Sequence, residues 1–302
     1  MTENEFLLQD RIAKIRSVNE QHDLLNNAYI SFSGGKDSTV LSHLMDEALP
    51  GNKIPRLFLN TGIEYGLVLK FVREAAEKDD RIHIYTVGKN IRKTLDEVGY
   101  PFKSKEHAQR VHDFKHCKKV WDKLLKYFGL MEGDIYQTCP KILRYQITDE
   151  CKLNISDRCC FEFKKKPVMD YMKESGKFIT ITGIMRTDKG LRSNINCVSL
   201  DKNNKLKKFH PMAPLNPDFE KWYIETRNIK LCELYYPPYN FLGTGCKGCP
   251  FNPNLEEDLF TLGQLLPNER KQCEYIWKPV YDEYRRIGYR LSKIDEDKLF
   301  DW

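Results

Sequence analysis

The sequence lacks a long apolar run and a recognisable leader. No stretch of its 302 residues reaches the roughly 18 consecutive apolar residues that a membrane-spanning helix requires. The first ten residues, MTENEFLLQD, are acidic where a signal peptide is basic, and they contain no apolar core. Internal repeats and low-complexity tracts are also absent. We therefore expect a cytoplasmic globular protein that does not bind membranes.

Basic residues only slightly outnumber acidic residues. Lysine and arginine number 49 against 43 aspartates and glutamates, which gives a net charge of +6. This excess favours anionic partners such as nucleotides, sulfate-like anions or nucleic acid, without distinguishing among them. Charged residues make up 30% of the chain and are spread along it, while 41% of residues are hydrophobic. This composition excludes long disordered tails and allows a substantial buried core.

Short apolar runs alternate with amphipathic segments. Strands are predicted at 28–32, 56–59, 82–87 and 178–182, and helices at 4–25, 65–78, 167–174, 219–228 and 267–288. This alternation predicts an α/β fold with a parallel twisted sheet and helices on both faces. The segment 92–162 is expected to be less regular. We expect an N-terminal helix over 1–26, a nucleotide-binding α/β domain over 27–230, and a cysteine-bearing C-terminal extension over 231–302.

A glycine-rich loop, SGGKDS at residues 33–38, follows the first predicted strand. In a parallel sheet, ligands bind outside the carboxyl ends of the strands, where such loops lead into helices. Gly34 and Gly35 allow the backbone to approach a phosphate closely, the following helix adds its positive end, and Lys36 adds a full charge. The segment before Lys36 lacks the first glycine of a Walker A loop, so that motif is excluded. A plain glycine turn does not explain the serines, lysine and aspartate, so we predict an anion-binding loop.

The ten cysteines include two close pairs. Cys159 and Cys160 are adjacent, whereas Cys246 and Cys249 form a CxxC motif. Four thiolates suit either zinc or an iron–sulfur cluster in a reducing compartment. Adjacent cysteines cannot wrap one ion as a zinc knuckle does, but a [4Fe–4S] cube offers each thiolate its own iron. We therefore expect a [4Fe–4S] cluster, with zinc as the alternative.

The sequence does not predict a functional role for the next five cysteines. Cys117, Cys197 and Cys232 are expected to be small buried hydrophobic residues. Cys139 and Cys151 lie near the first pair in sequence and receive no assigned role.

Two arginines follow the predicted strand at 178–182. Arg186 and Arg192 come shortly after Gly183, at the edge of the sheet where ligands bind. Guanidinium groups there can clamp a phosphate or sulfate bidentately, although isolated surface arginines are more often simply solvated. Their position between the two cysteine pairs favours the functional interpretation.

Several motifs together resemble one family. SFSGGKDSTVLSHL (31–44) resembles the PP-loop of the ATP pyrophosphatase and adenine nucleotide α-hydrolase superfamily, which includes the adenylylsulfate and phosphoadenylylsulfate (APS/PAPS) reductases. LFLNTGIEY (57–65) and TGIMRTDKGLR (182–192) are similar to further elements of these reductases. The second resembles the family's TGxRxxxxxxR segment, although its first arginine, Arg186, lies one position later. RCC followed by GCxxCP resembles the iron–sulfur branch of the family. Asn60 differs from the aspartate that the family often has.

This resemblance implies specific sites. The implied adenine nucleotide site consists of Ser31, Ser33, Gly34, Gly35, Lys36, Asp37, Ser38, Thr39, Asn60, Thr61, Gly62, Gly183 and Arg186. The implied cluster ligands are Cys159, Cys160, Cys246 and Cys249. The implied nucleotide is ATP or APS/PAPS, which Mg²⁺ can accompany. The implied catalytic residues are Lys36, Arg186 and Arg192, and Cys273 is a further candidate without a matching motif.

Two enzymatic reactions remain open. In the first, a sulfonucleotide reductase, a cysteine attacks sulfur and a thioredoxin-like partner donates thiols. The family's Glu-Cys-Gly-(Leu/Ile)-His tail is absent, so Cys273 is the candidate nucleophile. The apolar residues that follow Cys273 continue at helical spacing, which favours a packed cysteine, whereas Arg270 and Lys271 would supply the cationic neighbours that a reactive thiolate needs. In the second, an ATP-dependent sulfur transferase resembling the DNA phosphorothioation enzymes or tRNA thiolases, ATP activates an acceptor oxygen and a donor protein supplies sulfur. The intact loop suits a triphosphate and therefore favours this second reaction.

A third hypothesis is a non-catalytic regulator that binds nucleotides or nucleic acid with this fold. The net charge of +6 and the basic runs at 115–119 and 164–166 are compatible with nucleic acid, but they do not require it.

Overall fold

The structure of the protein is a computed structural model that describes residues 1–117, 121–135, 137–187 and 194–292. The chain forms two compact units, and each combines two separate stretches. The first unit comprises residues 1–87 and 167–244, and the second comprises residues 88–166 and 245–302. The boundaries expected at residues 26 and 230 stay a prediction.

The secondary structure alternates between strands and helices in the first part of the chain. The strands are β1 (Ala28–Ser31), β2 (Arg56–Asn60), β3 (Ile82–Thr86), β4 (Ile179–Ile181), β5 (Val198–Leu200) and β6 (Leu206–Phe209). The helices are α1 (Glu3–His22), α2 (Leu24–Asn27), α3 (Lys36–Ala48), α4 (Gly66–Ala76), α5 (Ile91–Val98), α6 (Lys105–His116), α7 (Asp122–Phe128), α8 (Lys166–Ser175), α9 (Pro217–Thr226), α10 (Leu255–Leu265) and α11 (Pro267–Ile287). The four predicted strands are confirmed to within one residue at each end.

The first unit contains a six-stranded sheet in the order β3-β2-β1-β4-β6-β5. Five strands run parallel, and β5 pairs antiparallel with β6 at the edge. The α/β fold with a mostly parallel sheet is therefore confirmed, but the edge hairpin was not predicted. β5 and β6 have only three and four residues, and β6 carries two exposed lysines between its buried ends, so the apolar pattern is too short to indicate a strand.

Side chains of the central strand β1 alternate between two cores. Ala28 and Ile30 belong to the larger core, which includes residues of α1, α3 and α9. Tyr29 points the other way and packs with Leu57 and with Tyr171 of α8. Because successive side chains of a strand point to opposite faces, this alternation places helices on both faces of the sheet, as predicted.

The second unit is largely helical. It contains α5, α6 and α7, a 3₁₀ helix (Lys141–Ile147), a π-helical turn (Phe161–Lys165), and then α10 and α11. The expectation that the segment 92–162 is less regular was therefore wrong for the parts of it that form α5, α6 and α7. In α6 only three residues are buried among lysines, arginine and histidines, so its apolar stripe is too narrow to be recognised in the sequence. Within the described ranges, no helix is both long and apolar enough to span a membrane.

Candidate functional site

The glycine loop lies where the strand order of the sheet reverses. β2 and β3 follow on one side of β1, whereas β4 lies on the other side. Loops that leave the carboxyl ends of two such neighbouring strands form the usual ligand crevice of open α/β sheets. Here the loop after β1 is SGGKDS, and the loop after β4 begins with Thr182 and Gly183.

These two loops touch each other. A Cβ atom on Gly183 would lie 2.7 Å from the carbonyl oxygen of Asp37, closer than real side chains allow. Gly183 is therefore required for this approach. A Cβ on Gly34 would lie 2.7 Å from Val72 of α4, and its φ of +69° lies in the left-handed region. The missing side chains thus let Gly183 lie against the backbone of Asp37 and let Gly34 lie against the side chain of Val72.

Hydroxyl groups fix the conformation of the loop. The Ser33 amide donates to Ser38 Oγ at 3.1 Å, and the Gly35 amide donates to Ser33 Oγ at 3.3 Å. The hydroxyls of Ser38 and Thr39 both donate to the Gly35 carbonyl at 2.9 Å. Ser38 and Thr39 are buried, whereas Ser31 and Ser33 are exposed. The loop thus holds its shape by its own bonds, and it begins α3, whose positive end favours an anion.

The ammonium group of Lys36 lies between two carboxylates. It donates to Asp37 Oδ1 at 2.6 Å and to Glu220 of α9. Burial alone would lower the pKa of Lys36, but the bonds to these two acids outweigh it and raise the pKa. Lys36 is therefore fully charged at neutral pH and available to a phosphate group.

Two further side chains hold the start of α3, and sequence reasoning missed both. The Lys36 amide donates to Tyr235 Oη at 3.0 Å, and Tyr235 Oη lies 3.1 Å from Thr244 Oγ1. Both residues are some two hundred positions away in the chain, and no local motif marks them. Glu220 also lies far from Lys36 in the chain. It was missed because an acidic residue within a predicted helix usually faces solvent.

The second predicted element, Asn60-Thr61-Gly62, ends β2 at the same edge of the sheet. The amides of Thr61 and Gly62 donate to the Glu64 carboxylate at 2.9 and 3.0 Å, and the Thr61 hydroxyl donates to it at 2.6 Å. Asn60 is half-buried. Glu64 was not predicted as a site residue. The Glu64 carboxylate accepts hydrogen bonds from two backbone amides, which shows that the amides of this turn can bind an anionic group.

Arg186 follows Gly183 but is exposed. Its Nε donates to the Ile195 carbonyl at 3.0 Å, and its amide donates to the Ala213 carbonyl at 3.0 Å. The predicted contact of Arg186 with an anion stays a prediction. Arg192 lies outside the described residues.

The second unit brings the four predicted cysteine ligands into one neighbourhood. The sulfur atoms of Cys159 and Cys160 lie 4.0 Å apart. The hydrogen bond between these thiols raises the pKa of Cys159 and lowers that of Cys160. Cys246 and Cys249 interact electrostatically with this pair, and burial raises the pKa of Cys249 to about 12.

Lysine side chains interact with the cysteines. Lys164, in the π-helical turn after the first pair, interacts with Cys246 by charge and by a hydrogen bond, which raise the pKa of Lys164, and Lys105 interacts with Cys160. Four thiols beside a cation suit a group with several thiolate ligands, such as an iron–sulfur cluster or zinc. In the described part of the chain, however, no three His, Cys, Asp or Glu side chains already converge as metal ligands.

A row of aromatic side chains on α11 supports the CxxC turn. Trp277 Nε1 donates to the Lys247 carbonyl at 3.0 Å, and the Tyr281 hydroxyl donates to the Gly248 carbonyl. Tyr284 Oη donates to the carbonyl of the residue after the motif, Pro250, at 2.8 Å. These three residues have the i, i+4, i+7 spacing of one helix face. Three successive contacts therefore fix the backbone of the turn and leave its cysteines free to bind a ligand.

The family match covers the loop, the strand ends and the cysteine pairs described above. Residues 27–252 match the model of the phosphoadenosine phosphosulfate reductase domain. The chain belongs to this family. The predicted resemblance to the reductase family is thus confirmed.

The chain is also similar to individual proteins. It is 23% identical to an uncharacterized protein of Methanocaldococcus jannaschii, over 96% of this chain and 56% of that protein, so it spans about half the length of that relative. Among solved structures, the phosphoadenylyl-sulfate reductase of Candida auris in a phosphate complex has 15% identity and a TM-score of 0.40, with 69% of this chain and 76% of that chain covered. The U34-tRNA thiolase NcsA of Methanococcus maripaludis with its [4Fe-4S] cluster has 15% identity and a TM-score of 0.41, with 91% and 80% covered.

The cysteine predicted as a nucleophile of the reductase domain is buried. The Cys273 side chain on α11 is fully inaccessible, and burial raises its pKa to about 12. A Cβ on Gly248, whose φ is +59°, would lie 2.7 Å from the Cys273 sulfur. Cys273 thus packs beneath the CxxC turn. This placement does not suit a nucleophile, which requires an accessible thiolate, and its catalytic role stays a prediction.

The remaining cysteines differ from one another. Cys232 is buried, as expected, and so are Cys139 and Cys151, whose pKa values are raised by burial. Cys197 is half-buried, with its sulfur 3.8 Å from Arg11 Nη1. Cys117 is exposed, so the expectation of a buried hydrophobic role was wrong for that residue, which ends an amphipathic helix rather than lying within one.

Proposed function

We propose that this protein is an enzyme of sulfur chemistry that binds an adenine nucleotide at residues 33–38. The observation that carries this proposal is the loop at the β1–β4 switch point, which combines the charged Lys36 side chain, held between Asp37 and Glu220, with the amino end of α3. Family membership supports the same ligand class. The phosphates would lie against the loop, and Lys36 would stabilise negative charge that develops on a leaving group.

We further propose that Cys159, Cys160, Cys246 and Cys249 hold a [4Fe–4S] cluster. Four thiols in one neighbourhood, a lysine facing them, and a CxxC turn held by α11 support this donor set. When bound, such a cluster would supply electrostatic tuning or sulfur activation. Iron and acid-labile sulfide in the anaerobically purified protein would support this assignment, while a colourless protein that contains zinc would contradict it.

The burial of Cys273 favours ATP-dependent sulfur transfer over sulfonucleotide reduction. A reductase of this family needs an accessible thiol that attacks sulfur, and Cys273 is fully inaccessible. In the transferase reaction, an acceptor oxygen attacks the α-phosphorus of ATP, the bond between the α- and β-phosphates breaks, and pyrophosphate leaves. A sulfide-level sulfur from a donor then displaces AMP, which departs with the acceptor oxygen. The acceptor class, including nucleic acid, is part of this proposal.

A pair of assays separates the two reactions. The protein is incubated anaerobically with ATP and candidate acceptors, and AMP and pyrophosphate are measured; a parallel reaction contains APS or PAPS with thioredoxin, and sulfite is measured. The proposal expects AMP and pyrophosphate. Sulfite release that is lost in Cys273→Ser would instead support the reductase, and Cys232→Ser is a matched control because Cys232 is also buried.

A further inference from the structure

Glu220 on α9 places a buried carboxylate beside the nucleotide loop. Its side chain is only 4% exposed. One oxygen, Oε2, accepts a hydrogen bond from Lys36 Nζ, whereas Oε1 has no hydrogen-bond partner among the residues that the structure describes. A buried carboxylate oxygen without a donor is costly in a folded protein, so this atom calls for an explanation.

The charge of Glu220 is incompletely compensated. Among the described residues that interact with it, Lys36 is the cation and Asp37 the competing anion, both from α3, while Tyr235 adds a hydroxyl near Lys36 and Asp37. Lys36 also bonds Asp37 at 2.6 Å, so two carboxylates share one ammonium group. Burial and the negative charge of Asp37 together raise the pKa of Glu220 to about 7, despite the ion pair with Lys36.

We infer that Glu220 positions Lys36 in the nucleotide-free protein and takes up one proton when nucleotide phosphates draw Lys36 away. The inference rests on the proposed nucleotide site. In this step the contact between Lys36 Nζ and Glu220 Oε2 breaks, Lys36 pairs with a phosphate oxygen, and a solvent proton binds the carboxylate of Glu220. The unpartnered Oε1 is the atom available to that proton.

The direction of the proton transfer follows from charge. Loss of its cation and the arrival of negative phosphates both disfavour the ionised form of a buried carboxylate. Binding therefore raises the pKa of Glu220 above its free value of about 7. Below pH 7 the group is already protonated and little uptake occurs. Above pH 7 uptake is required, so nucleotide affinity falls by up to about tenfold per pH unit.

Calorimetry measures this uptake directly. A non-hydrolysable ATP analogue with a methylene bridge between the α- and β-phosphates is titrated with Mg²⁺ into the full-length protein at pH 7.5. Two buffers of different ionisation enthalpy give the number of protons bound. Because Glu220 with a pKa of about 7 is already partly protonated at pH 7.5, we expect the wild-type protein to take up between about half and three quarters of a proton more than Glu220→Gln. Proton release by the nucleotide itself is common to both proteins and cancels in this difference.

Glu225→Gln is the matched control, because Glu225 lies on the same helix with a side chain that is 64% exposed. It should retain the wild-type uptake. Equal uptake by wild-type protein and Glu220→Gln would overturn the inference, although the proposed function would stand. If the wild-type protein binds neither this analogue nor APS or PAPS, the proposed function fails, and the inference fails with it.

A second measurement requires no nucleotide. In protein labelled with ¹³C at glutamate carboxyl carbons, we expect one resonance that is missing in Glu220→Gln to titrate near pH 7. Titration of that resonance in the ordinary range of glutamate, about pH 4.3, would overturn the inference by itself.

Discussion

The two candidate sites of this protein are built differently. In the first unit, the loop at 33–38 is fixed by its own hydroxyl–backbone bonds, and its lysine has partners already in place. In the second unit, the backbone of the CxxC turn is fixed by α11, but the four thiols do not yet converge in the part of the chain that is described. The nucleotide loop is thus preorganised by the protein alone, whereas we expect the cysteine set to be completed by the group that it binds.

The largest expected effect concerns the cysteine set. The double variant Cys246→Ser/Cys249→Ser removes half of the proposed ligands, and we expect bound iron and sulfide to fall at least about tenfold. Metal analysis after anaerobic purification measures this loss. Cys117→Ser is the control, because Cys117 belongs to the same unit but is exposed and lies outside the set. Wild-type iron content in the double variant would contradict the ligand assignment.

The next effect concerns the preorganised loop. Gly34→Ala forces a φ of +69° on alanine and sets its Cβ 2.7 Å from Val72. Gly51→Ala imposes a similar φ of +73°, but nothing lies within 4 Å of its Cβ. Backbone strain of about 1–2 kcal/mol is therefore common to both variants, and steric overlap adds about 1–3 kcal/mol at Gly34 only.

Urea unfolding of both glycine variants measures this difference. Equal losses in the free energy of unfolding would mean that the close contact between the loop and α4 is absent, and the loop would then be less constrained than described.

The smallest effect is a pH dependence in the second unit. His107 on α6 is buried, and burial lowers its pKa to about 4, while its ring nitrogens bond Tyr127 and Gln146 at 2.8 and 2.7 Å. Between pH 6.5 and 4 only the unfolded state binds this proton, so stability falls as pH falls through this window. The change is at most about 3 kcal/mol.

The variant His107→Gln should flatten that part of the stability profile, whereas His116→Gln, an exposed residue on the same helix, should not. Denaturant unfolding at pH 6.5, 5.5 and 4.5 tests this expectation. A slope that is unchanged in His107→Gln would show that another group titrates.

Local patterns were sufficient to predict much of the first unit. Buried strands such as β1 and β2 are continuous apolar runs, and the glycine loop follows directly in sequence. The cysteine pairs were equally visible as motifs. The residues that complete each site could not be predicted from the sequence. Glu220 and Tyr235 reach the loop from distant segments of the chain. Trp277 and Tyr281 support the CxxC turn from α11. Such contacts depend on tertiary packing, which leaves no local signal.

The burial of Cys273 illustrates the same limit. The helical spacing of the apolar residues after Cys273 indicated a packed residue. Its basic neighbours Arg270 and Lys271 were also compatible with a reactive thiol. Arg270 bonds Glu274 and the Leu259 carbonyl, and burial of Cys273 outweighs the effect of this arginine on the pKa of the thiol.

The central claim is that Lys36 and its loop bind an adenine nucleotide. Thermal unfolding with and without saturating ATP, APS or PAPS tests it in wild-type protein, Lys36→Ala and the exposed control Lys53→Ala. One of these nucleotides should raise Tm by roughly 2–8 °C in the wild type and the control, and the shift should be largely lost in Lys36→Ala. No shift with any of the three, or an equal shift in Lys36→Ala, would contradict the account.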